Sequence, residues 1–342
     1  MTEISERELS RYSRHILLKE IGIEGQKKLK NSKVVVAGCG ALGCVSSNLL
    51  ARAGVGKLVL VDRDIVEITN LQRQVLYSDK DVNRPKAEVA KEVLSNANPE
   101  IEIESIVADL SSENAEEIIS GCNVVVDATD NMETRYLIND VCVKKEIPWV
   151  YGGAISTHGM TLTILPKKTA CFRCFFSRPP GAGVLPTCEI AGVLNTMPSI
   201  IASIQATEAI KIILGNFEEI SKELTIIDIW NNDFRKIPVP IDEKCETCKR
   251  GNFEFLENRR RKATKLCGRN AIQVNPKTKG EIELNRLSEK LSNVGKVNKM
   301  SSCIIFNVDG YEMTIFKDGR VLIKGTNDEN VAIELYSKYI GI

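Results

Sequence analysis

Net charge, histidine and long apolar runs are all scarce in this chain of 342 residues. Its 46 lysines and arginines face 45 acids, a formal net charge of +1, so no global field favours nucleic acid or an anionic membrane and neither is expected as a partner. Only two histidines occur, His15 and His158, too few and too scattered for a His-based triad. No Gly-x-x-x-x-Gly-Lys-Ser/Thr segment is present, which argues against a standard P-loop ATPase. No N-terminal apolar stretch resembles a signal peptide. The most apolar helical stretch, residues 200–214, is interrupted by Gln205, Glu208 and Lys211, so a soluble, cytoplasmic protein is expected. Internal repeats and low-complexity tracts are also absent.

Cysteine, by contrast, is plentiful. Eleven is an odd number, in a chain too large to need disulfide staples, so reduced thiols, metal ligands or catalysis explain them better. Two Cys-x-x-Cys pairs, Cys171/Cys174 and Cys245/Cys248, can turn four thiolates toward one ion, and four sulfurs suit tetrahedral Zn²⁺ in a closed structural site. Cys188 stands alone in a Pro/Gly-rich stretch, residues 178–189, that reads as irregular and exposed, where a thiolate can act as a nucleophile. Cys39, Cys44, Cys122, Cys142 and Cys303 fall in strand or helix patterns and read as small core residues.

Along the chain, short β-branched runs alternate with helix-length segments. Strands are expected at residues 33–37, 58–61, 101–107, 123–127 and 148–151, then at 161–165 and 224–229. Helices are expected at 41–53, stopped by Gly54, at 85–96 with Pro85 in the first turn, and at 197–214. Strands separated by helices imply right-handed crossovers and a parallel sheet. The predicted fold is therefore α/β, a doubly wound, mostly parallel, Rossmann-like sheet. A charged stretch, residues 249–265, reads as a linker whose Arg259-Arg260-Arg261-Lys262 run is solvated. Beyond it, residues 302–308, 311–316 and 320–324 read as an antiparallel meander with turns at Asp309-Gly310 and Asp318-Gly319, and residues 329–339 as a covering helix. Three segments follow: a domain at 1–250, a linker at 251–266 and a small α+β domain at 267–342.

Gly38-Cys39-Gly40-Ala41-Leu42-Gly43 follows the first strand, where glycines let backbone approach phosphate and the next helix offers free N–H groups. Asp62 ends the second strand, placed to accept hydrogen bonds from ribose hydroxyls. These two signals alone favour a nicotinamide or flavin oxidoreductase. The segment Asn70-Leu71-Gln72-Arg73-Gln74 and Lys86 then add two cations that could converge on a triphosphate, and Asp130-Asn131 adds a carboxylate suited to Mg²⁺. Hydride transfer needs none of these.

Together, Arg11-Tyr12-Ser13-Arg14-His15, the glycine turn, Asp62-x-Asp64, residues 70–74, Lys86, residues 127–131, both cysteine pairs and Thr187-Cys188 resemble the MoeB/ThiF branch of the ubiquitin-activating-enzyme superfamily, over roughly residues 5–250. The resemblance implies a Mg-ATP-dependent adenylyltransferase acting on the C-terminal Gly-Gly carboxylate of a ubiquitin-like sulfur-carrier protein. It also implies a pathway: molybdopterin, thiamine or thiolated-tRNA synthesis, or protein conjugation. The nucleotide would contact Gly38, Gly40, Ala41, Asp62, Asn70, Leu71, Gln72, Arg73, Lys86, Asp130 and Asn131, with Asp130 on Mg²⁺. Arg14 would reach the site of a homodimer partner. Cys188 matches the family thiol, which attacks the acyl-adenylate or forms an acyl-persulfide, and the four paired cysteines match the zinc ligands. Many relatives have glycine where Ala41 stands. No sulfurtransferase domain follows the zinc pairs, so a separate protein is the expected sulfur donor. A dinucleotide-dependent oxidoreductase and a non-enzymatic zinc-stabilised binding module are the rival readings.

Overall fold

A computed structural model of the protein describes residues 3–179, 188–257, 263–266, 270–276, 281–300 and 302–341. The chain divides into two compact units, one of residues 1–185 with 192–259, the other of residues 186–191 with 260–342.

The first unit opens with short helices α1 (Glu6–Arg11), α2 (Ser13–Ile16) and α3 (Gly22–Lys30). There follow β1 (Lys33–Ala37), α4 (Ala41–Ala53), β2 (Lys57–Asp62), α5 (Lys86–Ala97), β3 (Glu102–Val107), α6 (Ala115–Ile119), β4 (Val124–Asp127), α7 (Met132–Lys144), β5 (Trp149–Ile155) and β6 (His158–Ile164). Then comes α8 (Phe172–Phe175) and, after the short α9 (Cys188–Ala191) that is grouped with the second unit, α10 (Thr196–Leu214), β7 (Glu223–Asp228), β8 (Asp233–Pro238) and α11 (Glu254–Glu257). The sheet runs β3-β2-β1-β4-β5-β6-β7-β8. Neighbours from β3 to β5 pair in parallel and those from β5 to β8 antiparallel.

Both faces of this sheet are covered, which explains why its first strands read as unbroken apolar runs. Val34, Val36, Leu58, Leu60, Val124 and Val126 point into one core. Their neighbours Val35, Val59, Val61 and Val125 point into the other. The period of two along a strand makes this division automatic. Helix α10 lies across the strands, and the polar residues that interrupt its apolar sequence pin it there. Gln205 donates to the carbonyls of Asp127 (2.6 Å) and Val150 (3.1 Å). Glu208 accepts from Thr163 Oγ1 and Ser221 N, both at 3.1 Å. By length and composition α10 could cross a membrane, but 56% of that window is buried inside the protein, as a core helix requires.

Differences from expectation have local causes. Pro85 stands one residue before α5 as its cap, with ψ at 129°, because the residue needs no N–H there. Strand β8 is a solvent-exposed edge ending at Pro238, and its polar Asp233-Phe234-Arg235-Lys236 run hides it from any search for buried strands. The stretch 249–265 is not linker throughout. Helix α11 packs on α7, where Phe255 stacks on Tyr136 at 4.6 Å between ring centroids and its N–H meets Asp140 Oδ2 at 2.9 Å.

The second unit is built on a six-stranded sheet, β11-β12-β13-β14-β10-β9, with antiparallel pairing throughout. Its remaining elements are β9 (Ala263–Leu266), β10 (Ala271–Val274), α12 (Leu284–Ser292), β11 (Lys296–Lys299), β12 (Cys303–Val308), β13 (Tyr311–Phe316), β14 (Val321–Lys324) and α13 (Glu329–Tyr339). The expected meander is its centre. Asp309 and Gly310, with φ of 50° and 82°, make the β12–β13 turn, a conformation that an Asp-Gly pair adopts readily. The sequence missed β9, β10 and β11, which lack strong alternation. The Arg259–Lys262 run and Cys267 lie outside the described residues.

Candidate functional site

The strand order reverses at β1: β2 and β3 lie to one side, β4 and β5 to the other. Open α/β sheets bind ligands at such a switch point, outside the carboxyl ends of the strands. The segments singled out in the sequence leave those ends. Residues 38–43 follow β1, residues 62–64 end β2, and residues 127–131 end β4.

Two of the glycines are demanded by the fold and the third is not. Gly38 has φ of +97°, and a Cβ there would lie 2.5 Å from Ala128 O. A Cβ on Gly43 would lie 2.0 Å from Gly38 O. At Gly40, the N-cap of α4, a Cβ would meet nothing closer than Gln74 Nε2 at 3.9 Å. Among the described residues no side chain caps this helix start, so the N–H groups of its first turn and the positive dipole end are left for a ligand or water. Gly43→Ala should therefore destabilise the fold by more than about 3 kcal/mol. Gly40→Ala should shift stability by about 1 kcal/mol or less and instead weaken ATP binding. Thermal melts and ATP titration of the two variants check the contrast.

Asp62 ties the glycine turn to β2. Its Oδ2 accepts from Cys39 N at 2.6 Å and its Oδ1 from Asp64 N at 2.7 Å. Burial raises its pKa, with Lys86 opposing and Asp64 reinforcing the shift. Lys86 is not the surface charge that a helix start leads one to expect. It is 2% exposed, with Nζ 3.4 Å from Asp64 Oδ2. Tyr77 Oη lies 2.8 Å from Cys39 O and 3.2 Å from Lys86 O, so glycine turn and lysine share a strut.

The other predicted residues divide. Asn70 is buried and accepts from Glu67 N at 3.2 Å; Leu71 packs against the main core; Gln72 is exposed. Arg73 is half-buried, with Nη1 donating to Thr69 O at 3.0 Å and no acidic partner among the described residues. Asp130 is 64% exposed on its side chain and 3.9 Å from Arg63. Asn131 caps α7 by accepting from Thr134 N at 2.9 Å. Arg14 is exposed on α2 and makes no hydrogen bond or ion pair among the described residues. Cys188 begins α9, so the stretch read as irregular ends in a helical turn. Its side chain, and residues 180–187, lie outside the described residues.

Sequence reasoning assigned no role to Arg63, Asp64, Gln74 or Arg135. Gln74 is buried beside Gly40, and its Oε1 has no hydrogen-bond partner among the described residues. Arg135 donates from Nη2 to Thr129 O at 2.6 Å and sits 3.4 Å from the fully buried Asp127, bracing the loop that carries Asp130. The signal for Asp64 was its Asp-x-Asp spacing and that for Gln74 its place in the 70–74 segment; Arg63 and Arg135 carried none.

The two cysteine pairs meet. The sulfurs of Cys171, Cys174, Cys245 and Cys248 all lie within 4.8 Å of one another. Three of the separations are 3.8, 3.5 and 3.5 Å. A tetrahedral site with Zn–S bonds of about 2.3 Å has edges of about 3.8 Å, so this donor set fits Zn²⁺. Two adjacent residues of α7 hold the arms of the clip. Asn139 Oδ1 accepts from Phe172 N at 2.9 Å, and Asp140 Oδ1 accepts from Thr247 Oγ1 at 3.1 Å.

Comparison with known proteins reaches the first unit through a family model and nearly the whole chain through one relative. The sequence matches the ThiF family model over residues 12–249. It is 39% identical to the sulfur carrier protein ThiS adenylyltransferase of Bacillus subtilis, over 97% of this chain and 99% of that protein. It is 42% identical to the SAMP-activating enzyme E1 of Haloferax volcanii, over 73% of this chain and 93% of that one. Among solved structures, E. coli MccB crystallised with ATP superposes with a TM-score of 0.61 at 27% identity, covering 70% of this chain and 74% of MccB. The matched segment runs from the end of α1, past the strand ends that carry the glycine turn, to the last of the four clustered cysteines, and on that ground this chain belongs to the ThiF family.

Proposed function

We propose that this protein is an adenylyltransferase that activates the C-terminal carboxylate of a ubiquitin-like sulfur-carrier protein with ATP. The observation that carries the reading is the convergence at the β1/β4 switch point of an uncapped helix start, a buried Lys86 and the Asp62, Asp64 and Asp130 carboxylates. A relative named as a sulfur carrier protein adenylyltransferase is 39% identical over 97% of this chain, a span that includes these residues.

The reaction balances without a proton carrier. A carboxylate oxygen of the carrier attacks the α-phosphorus, the bond to the bridging oxygen breaks, and pyrophosphate leaves with the electron pair. Asp62 would hold the ribose, and the backbone at Gly38, Gly40 and Ala41 would approach the phosphates. Asn70, Leu71, Gln72 and Asn131 would shape the nucleotide's surroundings. Lys86 and Arg73 would neutralise charge as it develops, with Arg14 supplied by the partner of a homodimer. Asp130, exposed enough to keep metal-bound waters in place, would hold Mg²⁺. Bound there, Mg²⁺ would offset the charge of the departing pyrophosphate. Zn²⁺ would be structural.

In this reading the adenylation domain expected at residues 1–250 extends through α11, β9 already belongs to the sheet of the second unit, and 267–342 is the rest of an accessory domain. The Haloferax enzyme aligns over 251 residues that make up 93% of its length, so its activity does not call for a counterpart of the C-terminal unit. A soluble, cytoplasmic enzyme using a separate sulfur donor fits the reading.

The test is ATP–pyrophosphate exchange with a panel of ubiquitin-like carriers ending in Gly-Gly. Exchange that depends on one carrier supports the reading, whereas tight NAD(H) binding without exchange overturns it. Adenylation needs only the crevice, while onward transfer needs a thiol. Cys188→Ala should therefore keep exchange within about threefold and lose the thiol-sensitive carrier adduct, seen on non-reducing gels. A mutant that completes the whole reaction at the wild-type rate would remove Cys188 from the mechanism.

A further inference from the structure

Arg63 follows directly on the Asp62 that ends β2, and it stands among the carboxylates at the mouth of the crevice with partners on both sides. Its Nη1 donates to Asp109 Oδ1 at 3.2 Å, just past β3. Its Nη2 reaches to 3.9 Å from Asp130 Oδ1, just past β4. Its Nε is 3.9 Å from Asp64. In the order β3-β2-β1-β4, Asp109 and Asp130 flank the strand that carries the glycine turn and the strand that carries Asp62. The contact to Asp109 is a hydrogen bond between groups each 19% exposed on their side chains, whereas the contact to Asp130 is longer and its carboxylate is 64% exposed. One arm of the guanidinium is anchored and the other leans on a solvated partner. A guanidinium is not deprotonated in a protein, so the charge is permanent.

From this geometry we infer that Arg63 is a positioning residue that occupies the cation's place beside Asp130 until Mg²⁺ arrives with the nucleotide. The inference rests on the reading of Asp130 as the Mg²⁺ ligand. Without a cation, carboxylates at this mouth would repel the polyphosphate that must enter. Arg63 supplies that charge in the empty protein, held ready by Asp109, and its long contact to Asp130 is weak enough for a divalent ion to replace.

Competition between guanidinium and metal is the measurable consequence. Arg63→Met keeps length and apolar stem but removes the charge. It should tighten Mn²⁺ binding in the presence of α,β-methylene-ATP by about threefold, measured by electron paramagnetic resonance without carrier, and should lower the half-saturating Mg²⁺ for exchange in the same proportion. Arg63→Lys, which keeps a charge, should lie nearer wild type. Adding Asp130→Asn to the wild type and to the Arg63→Met variant should erase the difference between them. Unchanged Mn²⁺ affinity in a folded Arg63→Met protein, with Asp130→Asn still weakening the metal, overturns this inference alone. If Asp130→Asn leaves Mn²⁺ affinity at the wild-type value, the assignment of Asp130 fails and this inference fails with it.

Discussion

Asp130→Ala should abolish carrier-dependent ATP–pyrophosphate exchange, a loss of about a thousandfold or more, while its unfolding midpoint stays near that of the wild type. The side chain is mostly exposed and its contact to Arg63 is 3.9 Å long, so truncation should move stability by no more than about 0.5 kcal/mol. Three residues earlier, Asp127 provides the control. It is fully buried, its Oδ1 accepts from the N–H and Oγ1 of Thr129, and Arg135 lies 3.4 Å from its other oxygen. Asp127→Ala removes a fully buried carboxylate that joins Thr129 to the half-buried Arg135, and should cost about 3 kcal/mol or more in stability. One aspartate is chemistry and the other scaffold, and the pair of melts and exchange assays separates them. Arg14→Ala should also impair exchange. Mixed with Asp130→Ala subunits it should recover activity, because a heterodimer then holds one composite site with both residues intact. Absence of recovery after verified subunit exchange would place Arg14 in its own chain's site, and undiminished exchange by Asp130→Ala would remove that carboxylate from the reaction.

Much of this fold is legible because its central strands are buried on both faces, leaving uninterrupted runs such as Lys33–Ala37. Glycines at fixed points then mark where helices stop, as at Gly54, whose φ of 85° closes α4. Legibility fails where burial is one-sided or absent. Strand β8 is exposed along almost its whole length, and α11 is a single turn too short for a helical period, held by tertiary contacts of Glu254 with Arg173, of Phe255 with Tyr136 and Asp140, and of Leu256 with the core. At the site, the sequence exposes residue types at strand ends but not which charges meet. Lys86 reads as a cation for the phosphates, but its burial against Asp64 comes only with tertiary structure. Arg63 carries no motif, since its meaning comes from Asp109 and Asp130 arriving beside it from two different strands. Cysteine spacing is more informative because each pair sets half a ligand cage locally, and only the meeting of the halves needs the fold.

Cys245→Ser should reduce bound Zn²⁺ from about one per chain to nearly none and lower stability by more than about 3 kcal/mol. Cys245 and Cys171 are almost fully buried and their sulfurs are 3.5 Å apart, so without a cation the four thiols can share neither charge nor ligand geometry. The damage should stop within α7. Near its C-terminal end Asn139 and Asp140 grip the two arms of the clip, and at its start Asn131 caps the helix directly after Asp130. That helix remains covered on its other side by the core around Tyr136, Leu137, Ile138 and Val141, so its nucleotide end should keep its place while the clip opens. Metal analysis, thermal melts and ATP titration should therefore show lost zinc and lowered stability, with an ATP dissociation constant changed by no more than about threefold. Zinc-free protein from a purification without chelators would sink the assignment. A large loss of ATP affinity at unchanged stability would mean that the clip belongs to the nucleotide site itself.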